Sequence, residues 1–173
     1  MQPTNRSSRI LQPARRWFIY LSLLFALTLA YVPTGRFPAV PDWVALVLVF
    51  WCIREPEHVG MGAGFVLGLL VDIGLGAAMG QHALAYVVLA FLAEKLARRI
   101  LWFPALLQAV HILPILLFAQ ALMVVVRLVA GDEFPGWSYF LSSLTGVVVW
   151  VPLSFLLLLP QYQSVDRDDD RPI

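Results

Sequence analysis

The chain has 173 residues, 60% of them hydrophobic and 13% charged, and a mean hydropathy of +0.79. A soluble domain carries about 25% charged residues, so this chain has too few to clothe a water-facing surface, and it is too apolar to be disordered. The net charge of +1 gives no reason to expect a nucleic-acid partner, and the single Cys52 excludes an intrachain disulfide framework or a cysteine-rich metal site.

An all-α polytopic membrane protein is predicted. Apolar runs cover 17–32, 44–53, 59–79, 82–92, 100–128 and 139–159. Crossing a bilayer core of about 30 Å takes about 20 helical residues. The third, fifth and sixth runs reach that length and the first is slightly short. The second and fourth have the length of buried core helices, which membranes tolerate where neighbours shield them. The runs do not alternate apolar and polar residues, which argues against barrel strands. The chain therefore divides into a basic segment over 1–16, a membrane domain of about six helices over 17–160, and an acid-rich tail over 161–173.

In chain order, the first run follows Arg6, Arg9, Arg15 and Arg16. Thr28-Leu29-Ala30 has the small residues of a signal-peptide cleavage site, but five more runs follow, and the first helix is expected to stay as an anchor. Pro33-Thr34-Gly35 opens a turn, and Pro38 and Pro41 keep the next stretch extended. After the second run, Glu55 and Glu57 read as a solvated turn rather than an acid/base pair. Cys52 reads as a small apolar filler.

The third run carries Gly60, Gly64, Gly68 and Asp72 at intervals of four. Four residues turn a helix by about 400°, so they form a slowly drifting stripe. Such glycines let a second helix approach closely, from within the chain or from a partner. No Lys-Ser/Thr follows, so this is not a phosphate loop. Asp72 lies about 13 residues, or about 20 Å, from the inner end of its run. A charge at that depth must face protein or water or be protonated. Two readings stay open: a polar contact for a partner, ligand or proton, and a helix-terminal cap beside Gly74 and Gly76.

In the fifth run Gln108 and His111 share a helix face as candidate buried polar residues. His111 lies about 11 residues, or about 16 Å, deep, near the depth expected for Asp72, so the two are candidates to pair. His82 falls at the outer boundary and His58 near the inner one. No His-Glu-x-x-His helix is present and no elbow motif surrounds Ser138, Ser142, Ser143 or Ser154. No catalytic residue, metal site or cofactor is expected. The six tryptophans fall mostly at run ends and read as interfacial anchors.

The basic residues orient the domain. With six crossings and a cytoplasmic N-terminus, ten fall inside (Arg6, Arg9, Arg15, Arg16, Arg54, Lys95, Arg98, Arg99, Arg167, Arg171) and two outside (Arg36, Arg127). That asymmetry obeys the positive-inside rule and puts both termini in the cytoplasm.

Pro41-Asp42-Trp43 leading into Leu48-Val49-Phe50-Trp51 resembles the second-helix signature of the MreD family, membrane subunits of the bacterial rod-shape system. So do Val59-Gly60-Met61-Gly62 through Gly64-Phe65-Val66-Leu67-Gly68 to Asp72, and Gly76 with Gly80-Gln81-His82-Ala83-Leu84-Ala85-Tyr86. Phe134-Pro135-Gly136-Trp137 and Trp150-Val151-Pro152-Leu153 resemble its late-helix pattern. The order of these pieces across nearly the whole chain makes the likeness specific.

The resemblance implies a non-enzymatic inner-membrane subunit of the elongasome, or Rod complex, that scaffolds side-wall peptidoglycan synthesis. It implies direct contact with MreC, and complex-level association with MreB, RodZ, RodA and its transpeptidase partner, among membrane lipids and with a second copy of the chain as a further candidate. Asp42, Trp51, Gly60, Gly64, Gly68 and Asp72 are the candidate partner-binding or helix-packing residues. The family fold is thought similar to the substrate-binding membrane subunits of energy-coupling-factor transporters. The competing class is a small-molecule-binding component of a transporter. That reading needs an outward cavity with convergent polar groups, for which the sequence offers few beyond Asp72, Gln81, His82 and Gln108.

Overall fold

The structure, a computed structural model, describes residues 14–33 and 39–161. The expectations for Arg6, Arg9, Arg36, the 34–38 stretch, and Arg167 and Arg171 in the acid-rich tail fall outside those residues. Within them the regular structure is helical: α1 (Arg16–Ala30), α2 (Trp43–Arg54), α3 (Met61–Leu75), α4 (Gln81–Leu101), α5 (Ala105–Val129) and α6 (Leu141–Leu158). Single 3₁₀ turns at Trp137–Phe140 and Leu159–Gln161 flank α6.

The ends follow local chemistry. The Asp42 carboxylate accepts from Ala45 N at 2.9 Å and caps α2. α3 stops at Gly76, whose φ of 63° is left-handed, and Gly80, at φ 93°, leads into α4. α5 begins after Pro104, which has no N–H to leave unpaired.

α2 is the axis of the bundle. Every residue from Val44 to Ile53 is buried, because α1, α4 and α6 pack around it. α3 lies on α4, α4 on α5 and α5 on α6. A 12-residue helix is about 18 Å long, and this one is apolar from Trp43 to Ile53, in keeping with its enclosure by the other helices. The α1–α2 contact includes a hydrogen bond from Trp51 Nε1 to Ser22 Oγ at 2.8 Å and an edge-on packing of Phe18 against Trp51. Between α1 and α6 an apolar groove of about 560 Å³ stays open, lined by Phe18, Leu21, Phe25 and Leu156 among others.

Two helical segments, Ala105–Val129 and Trp137–Gln161, are long and apolar enough to cross a membrane, at 25 residues each, while α1, α2 and α3 are apolar but shorter. Three expectations need correction. The fourth run does not end at residue 92: α4 continues to Leu101 with Ala93, Ala97 and Ile100 buried and Lys95, Arg98 and Arg99 outward. The fifth helix does not begin at residue 100, because Trp102–Pro104 breaks the chain before Ala105. Nor are all tryptophans at the interface. Trp102 and Trp137 are 90% and 82% exposed, but Trp51 and Trp150 are fully buried core residues.

Candidate functional site

Of the two open readings, Asp72 has the geometry of a helix-terminal cap, though not for its own helix. It is 2% exposed and sits one turn before the end of α3, yet it caps the next helix. Its Oδ2 accepts from Gly80 N at 2.9 Å and from Ala83 N at 3.4 Å, and its Oδ1 accepts from His82 N at 2.9 Å. His82 Nδ1 lies 2.7 Å from the same Oδ1. A carboxylate can only accept, so Nδ1 carries the hydrogen. Asp72 thus collects the orphan donors at the start of α4 and folds the α3–α4 turn onto itself.

The glycine stripe makes that turn tight. A Cβ at Gly64 would lie 2.7 Å from Tyr86 O, and one at Gly68 would run into the backbone of His82 and Ala83. Both glycines therefore face α4 of the same chain. Gly60 faces the Glu94 carboxylate, where a Cβ would come within 2.6 Å of Oε1. Gly62 alone among the four early glycines of α3 has open space, on the exposed side with Phe65, Val66 and Ile73.

The expected pairing of Asp72 with His111 does not form. His111 Nδ1 lies 2.8 Å from Leu107 O, one turn back, and its ring stacks on Phe103 at 4.5 Å. With α5 starting at Ala105, His111 is near that helix's beginning, at the opposite end of the bundle from Asp72. Gln108 is buried as expected, but it bonds Phe103 O at 2.8 Å rather than a neighbouring helix.

The Asp72 end holds a feature that the sequence reading did not assemble. The N-termini of α2, α4 and α6 meet the C-terminal half of α5 around a cavity of about 260 Å³. Asp42, His82, Tyr86, Gln120, Tyr139 and Ser142 bring polar atoms to its wall, with Leu29, Val71, Leu75 and Met123 between them. A narrower cleft continues it inward past Asp42, Gln120, Ser143 and Gly146. Tyr86 Oη donates to Asp42, 2.9 Å from each carboxylate oxygen. Gln120 Nε2 donates to Tyr139 O at 3.1 Å and to Ser142 Oγ, and Gln120 Oε1 accepts from Ser143 Oγ. Tyr139 Oη donates only to the thioether of Met123, at 3.3 Å.

Of these, Asp42, His82 and Tyr86 were visible in quoted motifs, and Ser142 and Ser143 only as rejected nucleophiles. Gln120 was passed over. Its signal was an amide alone in the middle of an apolar run, where hydrocarbon makes an unpaired amide expensive. Trp51 lies inside the bundle with no exposed surface at all, while Asp42, at the start of α2, is half-buried. Among the described residues no cluster of three or more His, Cys, Asp or Glu side chains could hold a metal ion.

Comparison with known proteins agrees with the sequence pattern. The family profile described as rod shape-determining protein MreD matches residues 10–159. A relative from Haemophilus influenzae, named rod shape-determining protein MreD, is 33% identical over 150 residues, covering 83% of this chain and 90% of the relative. No solved structure matches the chain.

Proposed function

The chain belongs to the MreD family, and from that premise we propose that it is the membrane scaffold on which a single-span MreC-like subunit is seated. It is a non-enzymatic rod shape-determining membrane protein of the elongation machinery. The observation that carries this is the family match over 10–159 together with 33% identity to a named member across 90% of that member's length.

The finer parts of the proposal rest on other supports. Six crossings with both termini in the cytoplasm of a bacterial inner membrane rest on the basic residues and the positive-inside rule. A fold kinship with the substrate-binding subunits of energy-coupling-factor transporters goes with the family resemblance. Contact with MreB, RodZ, RodA and its transpeptidase partner is at the level of the complex.

For the MreC-like helix, the outer face of α3 is the proposed seat. Gly62 lies there with nothing near its Cβ position, beside exposed Phe65, Val66 and Ile73. Gly62 is in the first turn of α3, and its bare backbone allows close approach of a partner helix. Asp42–Trp51 is not offered as part of this surface, since α2 is enclosed.

Depleting the protein from its native host should turn rods into spheres, and the wild-type gene should reverse this. Gly62→Leu should leave the thermal stability of the purified protein intact, lose co-purification of the MreC-like subunit and fail to restore rods. Rods that persist after full depletion would remove the proposed function. Normal co-purification by Gly62→Leu would remove the α3 seat alone.

A further inference from the structure

The cavity at the Asp42 end is walled by both polar and apolar side chains. It has a carboxylate in its wall, and among the described residues no lysine or arginine lines it. The hydrogen-bond account of that wall is lopsided. A carboxylate offers about four acceptor positions; Asp42 receives the Ala45 N–H and the one proton of Tyr86 Oη. Tyr139 Oη gives its proton to a thioether, a weak acceptor, and among the described residues accepts from no donor. Ser142 Oγ accepts from Gln120 and keeps its own hydrogen. Among the described residues, Asp42, Tyr139 and Ser142 thus bring acceptor oxygens together around the Asp42 carboxylate.

We propose that this cavity binds a primary ammonium group, seated on Asp42 and hydrogen-bonded by Tyr139 and Ser142. An ammonium supplies a positive charge and three donors on one compact atom, which is the complement of such a wall. A volume of about 260 Å³ falls just below the range of drug-sized ligand pockets, so the occupant is small. The ammonium is carried either by a free amine or by an ethanolamine-type lipid headgroup, whose acyl chains would lie along Leu29, Val32 and Leu75 at the cavity mouth.

The test uses the full chain purified in detergent, heated with putrescine, ethanolamine, 1,4-butanediol or succinate. A second arm compares nanodiscs of phosphatidylethanolamine with nanodiscs of phosphatidylcholine, whose quaternary headgroup has no N–H. Putrescine or ethanolamine, or phosphatidylethanolamine alone, should raise the melting temperature; the diol and the diacid should not. Stabilisation by free amines assigns a soluble ligand, and stabilisation by phosphatidylethanolamine alone assigns a lipid. Asp42→Asn keeps a side-chain oxygen for Ala45 N and Tyr86 and should melt as wild type without ligand, while its amine affinity falls at least about tenfold, the scale of a lost charge-assisted bond. If that variant does not fold, Tyr139→Phe with Ser142→Ala leaves the cap untouched and should weaken the same response severalfold. The proposal is overturned if no ammonium compound stabilises the protein, if the diol or diacid does so equally, or if the response is unchanged in the variants.

Discussion

At the scale of single residues, Asp72 shows why the identity of a partner matters more than depth. Depth alone left a functional charge and a cap both open. All four groups around its carboxylate are donors: three backbone N–H groups and His82 Nδ1. Asn at this position keeps one oxygen and turns an N–H toward donors, so it is not the silent substitution it would be at an ordinary N-cap. We expect Asp72→Asn to destabilise the protein by about 1–2 kcal/mol and Asp72→Leu by more, since each buried donor left unpaired costs about 1–3 kcal/mol. Thermal unfolding of the detergent-solubilised protein reads both. Equal melting temperatures for wild type and both variants would mean that water replaces the carboxylate.

The glycines of α3 separate in the same assay. At Gly68 a methyl meets backbone atoms of His82 and Ala83, which cannot swing aside. Gly68→Ala should therefore force α3 from α4 and cost about 1–3 kcal/mol or more, as overpacking does. Gly62→Ala meets nothing and, in the first turn of α3, should leave the isolated chain as stable as wild type or stabilise it by less than the ~0.5–1 kcal/mol of a mid-helix position. The stripe was legible in the sequence as a close-packing surface. Which helix it meets was not, because spacing along one helix says nothing of what lies across it.

At the scale of elements, the apolar runs located all six helices but misjudged two boundaries for physical reasons. Hydropathy fell at Glu94, Lys95, Arg98 and Arg99, so the fourth run looked finished at Leu92. The stripe of Tyr86, Leu89, Ala90, Ala93, Ala97 and Ile100 shows the helix continuing with one buried face, a helical periodicity that a window average dilutes. Pro104 marked the start of α5, but an unbroken apolar run on both sides hid it. That shift of five residues is what made His111 seem as deep as Asp72. The cavity was the least legible feature, since its wall is drawn from all six helices and its polar residues look incidental in each. How α1 is held to α2 is testable at this scale. A double-mutant cycle of Trp51→Phe and Ser22→Ala should give a coupling of about 1 kcal/mol or less, the usual worth of an interhelical hydrogen bond in a membrane protein. Strict additivity of the two would mean that the indole N–H contributes nothing to the α1–α2 contact.

At the scale of the whole molecule, charge divides the bundle into two unlike ends. Ala14 N donates to Glu55 at 3.2 Å, which puts the start of α1 beside the end of α2, and Glu94 over Gly60 puts the end of α4 beside the start of α3. Among the described residues, Arg15, Arg16, Arg54, Lys95, Arg98 and Arg99 thus gather at one end. At the other end, Arg127 is the one basic residue among the described residues, with Nε 3.6 Å from Asp132. A membrane protein with one basic end keeps that end in the cytoplasm. The Asp42 cavity would then open on the far side. Single cysteines in a Cys52→Ala background check this, because Cys52 is buried and alanine removes its thiol at the cost of a small cavity. Arg54→Cys and Arg98→Cys should react with a membrane-impermeant maleimide only after the cells are permeabilised, and Asp132→Cys should react in intact cells. Asp132 is itself paired with Arg127, so Glu133→Cys serves as a second reporter of that end if the first variant expresses poorly. Labelling of Arg54→Cys in intact cells would place the loop between α2 and α3 outside and invert or break the proposed six-crossing topology, and an inverted bundle would turn the cavity toward the cytoplasm.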